Sequence, residues 1–235
     1  ISPSSWNRFE ECPRKYWLSR QRLPRKASMA ASMGTAIHNS VEDLCNLDIS
    51  DRDDDEIRWL HSSCVEILQN RWEEERTLFL ETPRHPRWKD ESFSVALDGL
   101  RGAISILFEK AMLPLEELSS VTVKTWKQVQ DIVVATEANL ESKCGRMLGR
   151  LDLLIKDLEN EANDGLIVAD LKTGKPPEDE LSDKVSRQLL FYRDLMKENA
   201  TGDQDLRAEG WYSSNNTVYR AEGPPILEEA IGAWE

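Results

Sequence analysis

The chain has 235 residues, of which 40% are hydrophobic, enough to bury a core in one domain or in one domain with a helical annex, and too many for a disordered tail. No apolar stretch approaches membrane-spanning length and no basic-then-apolar leader opens the chain, so a cytoplasmic protein with no membrane partner is expected; an initial Ile in place of Met suggests a trimmed or partial chain. The net charge of −13 argues against a nucleic-acid partner only until its distribution is read: Arg8, Arg14, Lys15, Arg20, Arg22, Arg25 and Lys26 face only Glu10 and Glu11 within residues 1–26, a local +5 that leaves −18 for the remainder.

The first segment, Phe9-x-x-Cys12-Pro13-x-x-Tyr16, reads as helical or as a helix start, with Trp6, Phe9, Tyr16 and Trp17 among the arginines. Aromatics interleaved with cations suit single-stranded DNA, and they equally suit a helix that turns its rings inward and its arginines to water. In Met33 to Asn46, Met33, Ile37, Val41 and Leu44 recur at helical steps, with His38 beside the stripe. The periodicity continues through Ile57, Leu60, Cys64, Ile67 and Leu68, then through Leu97, Leu100, Ile104 and Leu107 after a loop marked by Pro83 and Pro86. The acidic runs from Asp51 to Glu56 and from Asp157 to Asp164 read as solvated loops or exposed helix ends.

From Asp131 the texture becomes β-branched and alternating, and strands are expected at Ile132 to Leu140, Met147 to Lys156 and Leu166 to Lys172. Gly174, which permits positive φ, with Pro176 and Pro177 makes a turn. Val185, Leu189, Tyr192 and Met196 then mark a helix, and Leu206 to Ser214 and Val218 to Ala221 read as two strands joined by an Asn-Asn turn. The expectation is an α/β chain with a small mixed sheet flanked by helices and a helical N-terminal annex.

Strand alternation sends Asp170 and Lys172 to one face and Leu171 to the other. If the strand carrying Asp152 pairs alongside in register, two carboxylates converge, and two close carboxylates call for a cation, with oxygen ligands suiting Mg²⁺ or Mn²⁺. A lysine beside such a cation can stabilise charge developing on a phosphate or position the attacking water. Taken alone, Asp-x-Lys is more often a surface ion pair at a strand end. Gln188 and Tyr192, four apart on the expected helix, share one face, with Tyr192 readable either as a site residue or as core. Val133, Ala135 and Glu137 read as a solvent-facing row.

In order along residues 2–192, SPSSWNRFEECPRKYWL, MGTAIH, GRLDLLI, ADLKTGK and the Q-x-x-x-Y of Gln188 and Tyr192 resemble the successive motifs of PD-(D/E)XK nucleases of the RecB/AddB-like and Cas4-like exonuclease family. The resemblance implies a restriction-endonuclease-like fold, with residues 1–235 as a single nuclease domain or a fragment of a longer chain, a mainly helical part over 1–128 and a catalytic α/β core over 129–222. It implies a divalent-metal-dependent deoxyribonuclease, an exonuclease acting in DNA repair or recombination. His38, Asp152, Asp170 and the backbone carbonyl of Leu171 would ligate Mg²⁺ or Mn²⁺, the imidazole tilting preference toward Mn²⁺. Glu137 is similar in position to an acidic residue that precedes the GRLD-like motif in relatives, which stands as an alternative to the solvent-facing row. Lys172, Asp170, Asp152, Gln188 and Tyr192 would form the catalytic set, and the partners would be single-stranded DNA or duplex ends, with a helicase or other repair or CRISPR proteins.

The alternative is a catalytically weak DNA-binding or scaffold subunit of a repair or CRISPR-adaptation complex, which the completeness of the motif set disfavours. No G-x-S-x-G or H-E-x-x-H supports a serine or zinc hydrolase, and His61 and His85 have no motif around them. In relatives a cysteine at the place of Cys12 joins three near the C-terminus on a [4Fe–4S] cluster. Here the cysteines are Cys12, Cys45, Cys64 and Cys144, widely spaced with no C-x-x-C pair, so reduced thiols and no iron–sulfur cluster are expected, with Cys12 a small packing residue of the N-terminal helix.

Overall fold

The computed structural model describes residues 1–232 other than 22, 25 and 201–203, with only the backbone of 161–163. Arg22 and Arg25 of the basic segment thus lie outside the described residues. Eight helices, α1 (Pro3–Glu11), α2 (Pro13–Ser19), α3 (Met29–Cys45), α4 (Trp59–Glu81), α5 (Phe93–Lys110), α6 (Val123–Ile132), α7 (Asp183–Asn199) and α8 (Leu227–Gly232), accompany five strands among these residues: β1 (Val133–Glu141), β2 (Leu148–Lys156), β3 (Leu166–Lys172), β4 (Leu206–Tyr212) and β5 (Thr217–Ala221). Among them no helix is long and apolar enough to cross a membrane.

The strands form one sheet in the order β1-β2-β3-β4-β5, antiparallel except for the β3–β4 pair. Parallel neighbours need a crossover, and α7 supplies it. Because helices cover both faces, β3 is buried along nearly its whole length, which explains why its sequence is a continuous apolar run broken only by Asp170 and Lys172. Ile37, Leu68, Leu100 and Trp126 of α3 to α6 pack with Ile155, Ile167 and Leu171 on one face, while Trp6, Leu189 and Phe191 of α1 and α7 pack with Leu154 and Val168 on the other. This is the restriction-endonuclease-like α/β arrangement.

Local chemistry accounts for several element ends. Ser2 caps α1 through a reciprocal pairing with Ser5, with Pro3 in the first helical turn, and Thr122 accepts the Thr125 N–H at 3.2 Å to start α6. The periodicity left α6 unassigned, and it runs into β1 within a single residue.

Three sequence expectations need correction. The N-terminal segment is two helices, broken at Cys12, whose extended backbone (φ −168°) precedes Pro13; proline lacks the N–H that would continue α1. Cys12 is therefore a half-buried junction residue and not a residue within a helix. Gly174 turns without positive φ, and among the described residues Gly145, in the β1–β2 loop, is the glycine that needs it (φ 70°). Asp157 is buried and paired to Arg207 at 2.7 Å, so the run it begins is not wholly solvated.

Gly102 fixes the separation of α5 from the β4–β5 connection. A Cβ there would lie 1.8 Å from the Ser213 carbonyl oxygen, and the Ser213 N–H donates to the Lys172 carbonyl at 3.0 Å. Gly102→Ala is expected to destabilise the protein by about 1–3 kcal/mol or more, read as a lower urea midpoint at unchanged slope. A wild-type midpoint would mean that α5 does not press on this turn.

Candidate active site

The ladder between β2 and β3 runs from Lys156↔Leu166 to Leu153↔Ala169 and stops, so the two strands part where Asp152 and Asp170 stand. The Asp152 carboxylate bridges the parting strands by accepting the Leu171 N–H at 2.7 Å, satisfying a backbone donor with a side chain. The same oxygen, Asp152 Oδ2, lies 3.4 Å from His38 Nδ1. Ile37, Val41 and Leu44 bury α3 against the sheet and leave His38 at the edge of that stripe, facing the fork. Gly34 lets α3 approach, since a Cβ there would sit 3.0 Å from Thr173 Oγ1.

Asp170 and Lys172 do share a face of β3, and they meet α7. The Lys172 ammonium pairs with Asp170 Oδ2 and donates to Gln188 Oε1 at 2.9 Å. The Gln188 amide then donates to Asp170 Oδ1 at 2.8 Å and to Tyr192 Oη at 3.2 Å. Gln188 therefore closes a triangle with Asp170 and Lys172 and links it to Tyr192. Tyr192 fits because residue 149 is glycine: a Cβ would meet its ring at 2.9 Å. The tyrosine is both core and site, buried among apolar neighbours while its hydroxyl reaches Gln188.

The electrostatics are those of anionic groups held close together out of water. Asp170, 3% exposed, has its carboxyl pushed up to about 6 by burial and by the charge of Asp152, against the pull of Lys172. Burial lowers the His38 imidazole, but the hydrogen bond to Asp152 and the charges of Asp152, Asp170 and Glu137 outweigh it, and the net direction is upward. Burial and the Asp152 charge raise the Glu137 carboxyl, with Arg150 and His38 opposing.

Glu137 is the residue that the sequence left ambiguous. It sits in β1 between the pairs Thr136↔Leu153 and Ala138↔Leu151, hence across from Asp152, with a left-handed backbone (φ 47°) unusual for a non-glycine residue within a strand. Its carboxylate pairs with Arg150 and is not part of a solvent-facing row. His38, Glu137 and Asp152 each offer a ligand atom within 4.8 Å of the others, and they line a pocket of about 10 Å³ together with Glu42 and Leu171. One imidazole nitrogen and two carboxylates around so small a space fit a divalent cation. Asp170 stands across the fork, its oxygens engaged by Lys172 and Gln188. The engaged backbone group of Leu171 is its N–H. His61 and His85 lie outside this cluster, and His85 packs against Phe79.

Cys45 and Cys64 are buried in α3 and α4, as their periodicity suggests, and burial pushes both thiols up to about 12. Cys144 is exposed in the β1–β2 loop.

The sequence model of the PD-(D/E)XK nuclease superfamily matches residues 1–231. No curated protein matches the chain.

Proposed function

The chain belongs to the PD-(D/E)XK nuclease superfamily, whose members cleave with divalent metal ions, and from that premise we propose that it is a DNA exonuclease acting in repair or recombination, of the RecB/AddB-like and Cas4-like type. In this reading residues 1–235 act as one nuclease domain. The observation that carries it is the triangle of Asp170, Lys172 and Gln188 set against the cluster of His38, Glu137 and Asp152.

His38, Asp152, Asp170 and the Leu171 carbonyl would hold Mg²⁺ or Mn²⁺, with Glu137 an added ligand on the strength of its place in the cluster. When bound, the ion supplies Lewis-acid charge to the phosphate being cleaved. Lys172, held from two sides by Asp170 and Gln188, presents a fixed ammonium to the charge that grows on the phosphoryl oxygens or to the attacking water. Gln188 gives the Lys172 ammonium a second acceptor beside Asp170, and Tyr192 holds Gln188. The imidazole in the ligand set favours Mn²⁺ over an all-oxygen preference for Mg²⁺.

End-labelled linear DNA and closed circular DNA, single- and double-stranded, incubated with Mg²⁺ or Mn²⁺, test the proposal. Digestion of linear substrates from their ends with circles left intact is expected. Nicked or linearised circles would make the enzyme an endonuclease, and binding without cleavage under every metal would return the scaffold reading, with a helicase or other repair or CRISPR protein as the active partner.

A further inference from the structure

The four aromatic residues of the N-terminal segment part company in the fold. Trp6 is buried against Phe191 of α7, and Phe9 and Tyr16 form an edge-to-face pair across the α1–α2 turn with ring centroids 5.9 Å apart. Trp17 is left 60% exposed, beside Leu18, also exposed. A single exposed tryptophan is unremarkable in itself. Its surroundings are what set it apart: α2 contains no acidic residue, and a step of three places Arg14 and Trp17 on one side of it, with Arg20 three residues on at its C-terminal cap. Among the described residues neither arginine makes an ion pair, although carboxylates outnumber cations across the chain as a whole.

This cationic hairpin is fastened to the helix that carries Gln188 and Tyr192. Asn7 donates to the Lys184 carbonyl at 2.9 Å and accepts from Arg187 at 3.0 Å, Lys184 pairs with Glu11 at 3.1 Å, and the Arg187 guanidinium lies 4.9 Å from the centre of the Trp6 ring. Arg187 immediately precedes Gln188. The hairpin is thus tied, through α1, to the turn of α7 from which Gln188 reaches the candidate active site.

We propose that the exposed side of α2 is a single-strand DNA platform, on which an unpaired base stacks against Trp17 while Arg14 and Arg20 hold the flanking phosphates. The proposal rests on the nuclease reading for its choice of nucleic acid, and deepens it by naming the substrate form. A flat, solvent-facing indole flanked by unpaired guanidinium groups offers what an unpaired nucleotide presents, a π-face with a charge on either side. A paired base in a blunt duplex has no free face to give.

Fluorescence anisotropy with labelled oligo-dT in EDTA, where no cleavage occurs, tests the platform separately from catalysis. Trp17→Ala is expected to weaken single-strand binding by roughly tenfold or more and blunt-duplex binding little, with Trp17→Phe restoring most of the loss. Arg14→Ala combined with Arg20→Ala should lower the slope of log affinity against log salt by about 1.4, two single-strand phosphates' worth. Both sites are exposed, so circular dichroism should report an unchanged fold. Wild-type single-strand affinity in Trp17→Ala, or an equal loss on duplex, would overturn the platform. If cleavage by the wild-type protein persists in that case, the nuclease reading stands without it. If instead Trp17 and the arginines carry binding and no metal supports cleavage, the platform stands and the exonuclease reading falls.

Discussion

Lys172→Ala should bind Mn²⁺ as tightly as the wild-type protein, or more tightly, and cleave DNA at least about 10²–10³-fold more slowly. The rate loss is that of removing one preorganised charge from the transition state. The metal affinity is expected to hold because Lys172 is a cation beside the carboxylates: its removal leaves Asp170 free of its ion pair and takes away a positive charge that repels the incoming ion. Lys172→Arg should rescue poorly. The ammonium sits between Asp170 Oδ2 and Gln188 Oε1, and a planar guanidinium cannot fill that place without displacing the glutamine. Calorimetric titration of Mn²⁺ alongside single-turnover cleavage reads both quantities. Near-wild-type turnover in Lys172→Ala would reduce the Asp170–Lys172 pair to a structural one.

Asp152→Asn should do the reverse, abolishing measurable Mn²⁺ binding and with it cleavage, while leaving the fold intact. Asparagine keeps an oxygen that can accept the Leu171 N–H and removes the charge that His38, Glu137 and Asp170 all feel. Without metal, loss of a like charge next to Glu137 and Asp170 relieves repulsion, so the metal-free thermal midpoint is expected to stay level or rise. Asp152→Ala is the harsher variant, because it also leaves the Leu171 N–H without its acceptor at the strand fork. Unchanged Mn²⁺ affinity in Asp152→Asn would place the ion elsewhere.

The parts of this arrangement legible in the sequence were those set by short-range periodicity. The i, i+4 stripe of Ile37, Val41 and Leu44 announces α3 and sets His38 beside it, and the alternation of β3 puts Asp170 and Lys172 on one face. The spacing of Gln188 and Tyr192 likewise needs nothing beyond the helical repeat. Glu137 was not settled by the sequence, which left it between site and surface, because its place depends on register between two strands and on a left-handed backbone that glutamate rarely adopts. Nor were the roles of Gly34, Gly102 and Gly149, each of which makes room for an element far away in the sequence. The split of α1 from α2 could have been read from Pro13, which sits where a continuous helix would need an N–H.

The most direct test of the site is the anomalous diffraction of crystals grown with Mn²⁺. The account predicts a manganese peak in the pocket between His38, Glu137 and Asp152, on the side of the strand fork that faces Asp170, lost in crystals of Asp152→Asn. A peak elsewhere on the molecule, or no peak at that cluster under conditions in which the protein cleaves DNA, would contradict it.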